Sequence, residues 1–316
     1  ACRVFYFCKM NQKLLVIGTM AYDAIETPFG KTGKILGGCA TYIGLAASLF
    51  KAKCGIVSVI GDDFEQEHLD LLKLRKLDLS GVETIKGEKT FFWSGKYHND
   101  LNTRTTMETQ LNVLTKFKPI VPDHFKDASI VLLGNLDPNL QLAVLNQLSN
   151  KPTLVVMDTM NFWIESYREK LDEVIGKVDV ISINDEEARM ITSTHSLVEA
   201  AKKLQQMGPK YVIIKKGEHG ALLFHENQIF CAPALPLEKV FDPTGAGDSF
   251  IGGFVGHLSQ CKNVSFEEMK TATIIGSAMA SFTVQKFGTK SLEELILPEL
   301  NERLDIFKSL TEFELT

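Results

Sequence analysis

The sequence predicts an α/β protein with a doubly wound, mostly parallel sheet, helices on both faces and an additional small β-sheet. Short apolar runs rich in β-branched residues recur at 13–18, 54–61, 129–135, 153–158, 178–184 and 210–217. Amphipathic stretches lie between these runs, and those at 64–77 and 196–208 carry apolar residues three or four positions apart. Strands that are apolar along their whole length are typical of a parallel sheet buried between two layers of helices. The alternation therefore predicts the doubly wound architecture.

The same pattern continues through most of the 316 residues without a repeat, a low-complexity tract or a linker. We therefore expect a single domain over residues 10–316. The first nine residues, ACRVFYFCK, are too short for a signal peptide and contain no small-residue cleavage site. We interpret Met10 as the natural start and expect residues 1–9 to lie outside the fold.

Two segments break the alternation, and both have the character of hairpins. The first, at about 22–36, contains TPFGKTG, and the second, at 89–114, has two runs rich in aromatic and β-branched residues around the turn sequence HND. We expect them to form one small sheet over the strand ends of the main domain, acting as a lid that excludes water. Two separate surface hairpins are the alternative.

The last third of the chain changes character. The sequence GALLFHENQIFCAP at 220–233 predicts a hairpin with a turn at Asn227. From Thr244 onwards the pattern is mainly helical. One glycine-rich turn, DPTGAGDSF at 242–250, stands directly before the first of these helices.

Composition excludes several function classes. The formal net charge of −5 gives no reason to expect a nucleic-acid partner, and no apolar run is long enough to cross a membrane. The six cysteines show no C-x-x-C pair, which predicts neither a zinc site nor a disulfide framework: they are Cys2, Cys8, Cys39, Cys54, Cys231 and Cys261. These features together predict a cytoplasmic protein with small-molecule partners.

The glycine-rich turn offers a chemistry of its own. If the apolar sequence from Phe250 belongs to a helix, Gly245, Ala246 and Gly247 lie at its N-terminus. The free N–H groups and the dipole there bind an anion without a basic side chain. Asp248 has the wrong charge for binding phosphate and the right chemistry for removing a proton. The arrangement indicates phosphoryl transfer, and an ordinary capped helix start is the alternative.

Further motifs carry a resemblance to a known family. DPTGAGDSF at 242–250 resembles the C-terminal signature of the ribokinase-like, or PfkB, carbohydrate and nucleoside kinases. Three other sequences lie earlier in the chain, in the order expected for that family: the pair Gly37 and Gly38, NDEE at 184–187, and KKGEHG at 215–220. The resemblance covers nearly the whole chain. It implies a ribokinase-like fold and a kinase that uses ATP and Mg²⁺.

The resemblance also implies roles for residues near the phosphates. Asp248 would be the base that activates the acceptor hydroxyl, and the backbone of 245–247 would hold the γ-phosphate. Asn184 and Glu187 would position Mg²⁺, in part through water. A helix N-cap is the alternative reading of the same two residues, and the two roles are compatible.

The nucleotide and a possible second cation are assigned in the same way. By resemblance, Lys215, Gly217 and Gly288 would line the nucleotide pocket. Asp242 and Thr244 match positions that supply oxygen ligands to a K⁺ ion in several members of the family. The backbone around Thr283, Lys286 and Gly288 would complete that set.

The resemblance also implies residues for the acceptor site. Asp23 matches the acid that hydrogen-bonds substrate hydroxyls, and Gly37 and Gly38 let substrate approach the backbone. The family signature has asparagine where this chain has Tyr42, and this difference affects ribose or fructose specificity.

Polar residues at strand ends and on the small sheet complete the prediction. Asn135 and Asp158 follow apolar runs, where α/β proteins bind ligands, and turn formation is the alternative. Tyr97, Asn102 and Arg104 could face substrate from the lid, with Arg104 suited to a phosphate. A solvated sheet face is the alternative for each of them.

Three functions remain open from the sequence. The first is an ATP-dependent kinase that phosphorylates a hydroxymethyl group of a sugar, and the second is a kinase for a nucleoside such as adenosine. The third is a catalytically silent ligand-binding protein on the same fold. The exposed edge of the small sheet could also pair with a second copy and form a homodimer.

Overall fold

The computed structural model describes residues 12–312, which form two β-sheets surrounded by helices. The strands are β1 (Lys13–Ile17), β2 (Ala21–Thr27), β3 (Gly30–Lys31), β4 (Ile35–Gly37), β5 (Lys53–Gly61), β6 (Asp78–Ile85), β7 (Phe92–Tyr97), β8 (Arg104–Gln110), β9 (Ile130–Leu133), β10 (Leu154–Met157), β11 (Val180–Asn184), β12 (Tyr211–Lys215), β13 (Ala221–His225) and β14 (Gln228–Ala232). The helices are α1 (Cys39–Ser48), α2 (Gln66–Leu74), α3 (Pro138–Leu145), α4 (Asn161–Ser166), α5 (Arg168–Ile175), α6 (Asp185–Thr192), α7 (Leu197–Met207), α8 (Ala246–Leu258), α9 (Phe266–Thr283), α10 (Lys290–Glu294) and α11 (Leu297–Thr311). The expectation for residues 1–9 concerns a part of the chain outside the described residues.

The main sheet has nine strands in the order β14-β13-β12-β11-β10-β9-β1-β5-β6. Neighbouring strands from β12 to β6 are parallel. Strands β13 and β14 form an antiparallel hairpin at one edge, as predicted for 220–233. All six apolar runs are strands of this sheet. The predicted doubly wound, mostly parallel architecture is confirmed.

One strand was not among those predicted. β6 pairs with β5 at the opposite edge of the main sheet, with an irregular register near its start. None of its residues is fully buried, so its sequence lacks the continuous apolar character of the central strands.

Two apolar cores lie on the two faces of the main sheet. Leu14 and Val16 of β1 pack in the core formed with α1, α8, α9 and α11. Leu15 and Ile17 pack in the other core, with α3, α5, α6 and α7. Successive side chains of a strand point to opposite faces, so every residue of an apolar run is buried by one helical layer or the other. Among residues 12–312, no helix has both the length and the apolar character of a bilayer span.

The second sheet, called the small sheet here, has the order β3-β2-β7-β8, and β4 also pairs with β2. Parallel pairing of β2 with β7 joins the segments 22–36 and 89–114 directly, from the pair Tyr22 and Phe92 to the pair Glu26 and Lys96. The two segments therefore form one sheet, as predicted. The alternative of two separate hairpins is excluded.

Candidate active site

The glycine-rich turn leads into α8 as predicted. Gly245 is the N-cap and has a left-handed backbone with φ of 74°, which favours glycine. A Cβ atom at Gly245 would lie 2.4–2.5 Å from three ring atoms of Tyr42, so the turn rests directly on that ring. The N–H of Ala246 donates to the carbonyl of Pro243 at 3.2 Å. Within residues 12–312, the N–H groups of Gly245 and Gly247 have no acceptor and are available to an anion.

Helix α1 packs closely against α8 and positions the other half of the site. Gly252 and Gly256 of α8 face the backbone of α1, where a Cβ at Gly252 would lie 2.6 Å from the carbonyl oxygen of Ile43. The missing side chains let the helices approach and bring Tyr42 of α1 under the turn before α8. The N-cap of α1 is Gly38, with φ of 92°, so both helices begin after a glycine with a positive φ.

Asp248 lies in the first turn of α8 and is half-buried. Burial, together with the negative charge of Asp158, raises the pKa of Asp248 to about 7, against the opposing charges of Lys215 and Arg104. A carboxylate whose pKa is raised is a stronger base and still ionises near neutral pH. The position and electrostatics of Asp248 suit proton removal.

A buried ion pair lies beside the turn. Lys215 Nζ, at the end of β12, is 3.5 Å from Asp158 Oδ1, just after β10, and both side chains are largely buried. Lys215 Nζ also lies 3.1 Å from the position that a Cβ of Gly247 would occupy. The glycine therefore allows the ammonium group to approach the backbone of the turn. The sequence placed both residues at strand ends but did not reveal that they pair across the intervening strand β11.

Asn184 and Glu187 form a capping box at the start of α6. Asn184 Oδ1 accepts a hydrogen bond from the N–H of Glu187, and Glu187 Oε2 accepts one from the N–H of Asn184, both at 2.8 Å. The capping alternative is thus present. Burial and the negative charge of Asp158 raise the pKa of Glu187 to about 7, against the charge of Lys215. The pair places a carboxylate near the ion pair, and its Oε1 has no hydrogen bond within the described part of the chain.

Asp242 connects the turn before α8 to the loop after α9. Its Oδ1 accepts from the N–H of Thr244 and its Oδ2 from the N–H of Gly288, both at 2.9 Å. The Thr244 hydroxyl is 3.2 Å from the Tyr97 hydroxyl of the small sheet. Asp242 is fully buried, and burial raises its pKa. These contacts fix the loop, and each carboxylate oxygen retains a lone pair.

Asp23 of β2, the residue expected to bind substrate hydroxyls, is buried. A Cβ at Gly37 would be 2.0 Å from Asp23 Oδ2, so only glycine allows the observed approach. Burial, followed by the charges of Asp242 and Asp248, raises the pKa of Asp23 to about 7. The structure therefore brings Asp23 and Asp248 into one electrostatic environment, although 225 positions separate them in the sequence.

A known protein family matches nearly the whole chain. The family model described as pfkB family carbohydrate kinase matches residues 11–295. The chain belongs to the PfkB family of carbohydrate kinases. Members of this family are phosphotransferases, so the protein is a kinase.

Several relatives of this PfkB kinase are named after nucleoside or riboside substrates. The chain is 33% identical over 285 residues to the cytidine kinase of Thermococcus kodakarensis, covering 88% of this chain and 98% of that protein. Its fold matches Burkholderia thailandensis nucleoside kinase in complex with inosine, with a TM-score of 0.76, 21% identity and coverage of 96% and 100%. It also matches aminoimidazole riboside kinase from Salmonella enterica, complexed with aminoimidazole riboside and an ATP analogue, with a TM-score of 0.74, 18% identity and coverage of 92% and 99%.

Two features of the Tyr42 side chain in this PfkB kinase concern the site. Its ring supports Gly245, and its hydroxyl is buried without a hydrogen-bond partner among residues 12–312. Burial raises the pKa of Tyr42 well above its usual value, and the charges of Asp23, Asp242 and Asp248 add to the effect. Tyr42 thus lies among the acids of the site, and its support of the turn was not foreseen from the sequence.

Two other residues that were predicted for the site of this PfkB kinase, Asn135 and Arg104, have different surroundings. Asn135 Oδ1 accepts a hydrogen bond from Trp163 Nε1 at 2.9 Å, which is a structural use of the amide. Arg104 is exposed at the start of β8, yet its positive charge lowers the pKa of both Glu187 and Asp248. Arg104 is thus electrostatically connected to the site, while Asn135 is engaged by a neighbouring aromatic ring.

Gly217, in the segment after β12 of this PfkB kinase, contacts the loop that joins β7 and β8 of the small sheet. Its backbone is left-handed, with φ of 53°, and a Cβ there would lie 2.9 Å from Asn102 Oδ1. Asn102 belongs to the loop between β7 and β8, so this loop lies on the segment after β12. The sequence indicated that Asn102 could face substrate, and the structure places it against Gly217.

Proposed function

We propose that the protein transfers the γ-phosphate of ATP to the hydroxymethyl group of a ribonucleoside. The position of Asp248, beside the N–H groups of Gly245 and Gly247, carries the proposal of phosphoryl transfer to a hydroxyl. The similarity to a cytidine kinase over almost its whole length supports a nucleoside as the acceptor. A pyrimidine nucleoside is therefore the first substrate class to test.

In the proposed reaction each of these groups has a separate task. Asp248 removes the proton of the acceptor hydroxyl while the new O–P bond forms and the bond from the γ-phosphorus to the bridging oxygen of ADP breaks. The N–H groups of Gly245 and Gly247 and the ammonium of Lys215 stabilise the charge on the transferred phosphoryl group. The proton remains on Asp248 until the product leaves.

Glu187 and Asn184 fit a role in positioning Mg²⁺ with the phosphates. The raised pKa of Glu187 results from burial and from the charge of Asp158, and a cation nearby would relieve this repulsion. Carboxylate oxygens and water are the ligands that Mg²⁺ prefers. When bound, the ion would supply positive charge to the phosphates. Lys215, Gly217 and Gly288 would line the nucleotide pocket.

We propose that a K⁺ ion is held by Asp242, Thr244 and the backbone near Gly288. Asp242 is fully buried, and its two oxygens each accept one backbone hydrogen bond. The remaining lone pairs and nearby carbonyl groups form an oxygen-rich donor set. A K⁺ ion there would stabilise the loops on both sides of the anion-binding turn.

On the acceptor side, Asp23 would bind hydroxyl groups of the sugar ring, which approaches over Gly37 and Gly38. A free sugar is the second candidate, because the same hydroxyl groups occur in both substrate classes and the family is named for carbohydrate kinases. Arg104, Asn135 and Tyr42 would then act at the margins of the pocket rather than on the reacting atoms.

A substrate panel tests the proposal. Purified protein with ATP, Mg²⁺ and K⁺ is assayed for ADP formation with cytidine, uridine, adenosine, inosine, ribose and fructose. We expect a nucleoside to exceed ribose in kcat/KM by about 100-fold or more, because a site that hydrogen-bonds a nucleobase leaves those polar groups unpaired when the smaller acceptor binds. A sugar that exceeds every nucleoside would overturn the nucleoside assignment. Binding of ATP without turnover of any acceptor would favour the silent alternative.

We also propose that the small sheet acts as a lid and mediates a homodimer. β8 is an edge strand of this sheet, and its first six residues are exposed. Such an edge pairs readily with a second strand. Sedimentation of the purified protein at several concentrations would detect the dimer, and a monomer at all concentrations would exclude it.

A further inference from the structure

Three potential metal ligands meet far from the reacting groups. His257 Nε2 lies 3.1 Å from Glu268 Oε2, and Cys261 Sγ lies 3.5 Å from His257 Nε2 and 3.2 Å from Glu268 Oε2. His257 and Cys261 are buried, whereas the Glu268 side chain is 42% exposed. The cluster therefore has a protected interior and an open side through which an ion could enter.

The hairpin between α8 and α9 produces this arrangement. His257 is in the last turn of α8, and Cys261 follows four positions later in the connecting turn. Residues four apart in a helical segment share one face. Glu268 returns from the first turn of α9. The spacing of the cysteines alone predicts no zinc site, because only one of the three ligands is a cysteine. The other two are a histidine of α8 and a glutamate of α9.

The chemistry and dimensions fit zinc. Imidazole nitrogen, thiolate sulfur and carboxylate oxygen are the three ligand types that Zn²⁺ uses, at about 2.0–2.3 Å. At tetrahedral angles these bond lengths separate the ligand atoms by about 3.3–3.6 Å. The three observed separations lie within a few tenths of an ångström of that range. Only a small adjustment would be needed to enclose the ion.

We propose that His257, Cys261 and Glu268 bind one Zn²⁺ ion, with water as the fourth ligand on the exposed side. Binding releases the thiol proton of Cys261, and the neutral imidazole of His257 donates the lone pair of Nε2 to the metal. Without metal, the same atoms form a hydrogen-bonded cluster in which Glu268 accepts from Cys261. The two states differ in whether the sulfur is a thiolate bonded to a metal.

The role of this site is structural. His257 lies nine positions after Asp248 on the same helix, which corresponds to about 14 Å along the axis. The ion would therefore not touch the phosphates. It would join the end of α8 to the start of α9, the two helices whose opposite ends border the anion-binding turn and the loop of Gly288.

Cobalt provides the direct test. Metal-free protein titrated with Co²⁺ should develop the visible bands of a tetrahedral ion and a near-ultraviolet thiolate charge-transfer band, both removed by one equivalent of Zn²⁺. Cys261→Ser should lose the charge-transfer band, and Glu268→Gln, at the exposed ligand, should weaken binding. Cys231→Ser, which removes an exposed cysteine elsewhere, should keep the full spectrum.

Stability separates a structural ion from an incidental one. Saturating Zn²⁺ should raise the thermal midpoint of the metal-free protein by about 5 °C, with unchanged turnover. Circular dichroism confirms that each variant is folded before it is titrated. Absence of a charge-transfer band in the wild type, or an identical band in Cys261→Ser, would overturn the site. A loss of turnover without a change in the midpoint would overturn its structural role.

Discussion

The hydroxyl of Tyr97 in the small sheet lies 3.2 Å from the hydroxyl of Thr244 in the turn before α8. This contact joins the proposed lid to the turn that is proposed to hold the phosphate. We therefore expect a movement of β7 to change the geometry of the turn.

Tyr97→Phe should weaken acceptor binding and leave the chemical step nearly unchanged. The variant loses one hydrogen bond, so KM for the acceptor should rise about 2- to 10-fold. Tyr167→Phe, at a tyrosine that is 38% exposed, is the matched control. Steady-state kinetics measure both. A fall in kcat with an unchanged KM would show that the contact acts in the chemical step instead.

Asp248→Asn should abolish most turnover while the nucleotide still binds. The amide cannot accept the hydroxyl proton, and loss of a general base typically costs about 10²- to 10⁴-fold in rate. Calorimetry of ATP binding and single-turnover assays report the two effects. Glu199→Gln, which alters an acid in the first turn of α7, is the control. Near-normal turnover of Asp248→Asn would remove Asp248 from the role of base.

The rate should decline on the acidic side of neutrality. Asp248 must be ionised to accept a proton, and its pKa is about 7, so protonation at lower pH removes the active form. We expect kcat/KM to fall about tenfold per pH unit below the apparent pKa. Asp158→Asn removes the repelling charge and should move this acidic limb to lower pH. With Asp123→Asn, at an exposed position, the limb should stay in place; an equal shift in both variants would contradict the assignment.

Gly245→Ala should lower both stability and kcat. The new Cβ would overlap the ring of Tyr42 in a left-handed backbone, at a cost of about 1–3 kcal/mol. Gly87→Ala is a close control, because Gly87 has φ of 76° and no atom of residues 12–312 lies within 4 Å of the added Cβ. Urea unfolding and turnover measure the two costs. Equal destabilisation by both substitutions would show that backbone strain, rather than the ring, makes Gly245 necessary.

The sequence predicted the features that depend on local pattern. Continuous apolar runs identified the buried parallel strands, and hairpin signals identified the segments of the small sheet. The edge strand β6 was missed, because its residues are all half-buried or exposed and give no continuous apolar signal. Element type was therefore readable wherever burial was complete.

Within the site, chemistry was readable and proximity was not. Asp248, Asp23 and Lys215 were chosen as candidates from motifs, yet the pairing of Lys215 with Asp158 depends on strand order in the sheet. The support of Gly245 by Tyr42 depends on the close crossing of α1 and α8, which Gly252 and Gly256 permit. Contacts of this kind arise from packing between distant segments, and a single sequence does not display them.

The contact between Asn102 and Gly217 has a kinetic consequence. The loop between β7 and β8 lies on the proposed nucleotide pocket, while β2 of the same sheet carries Asp23, the proposed acceptor ligand. If the small sheet is a lid, one opening motion would uncover both proposed sites, so departure of ADP and of the phosphorylated product would share a common barrier. Turnover would then vary with solvent viscosity, and shortening the loop at Asn102 would accelerate release of both products together.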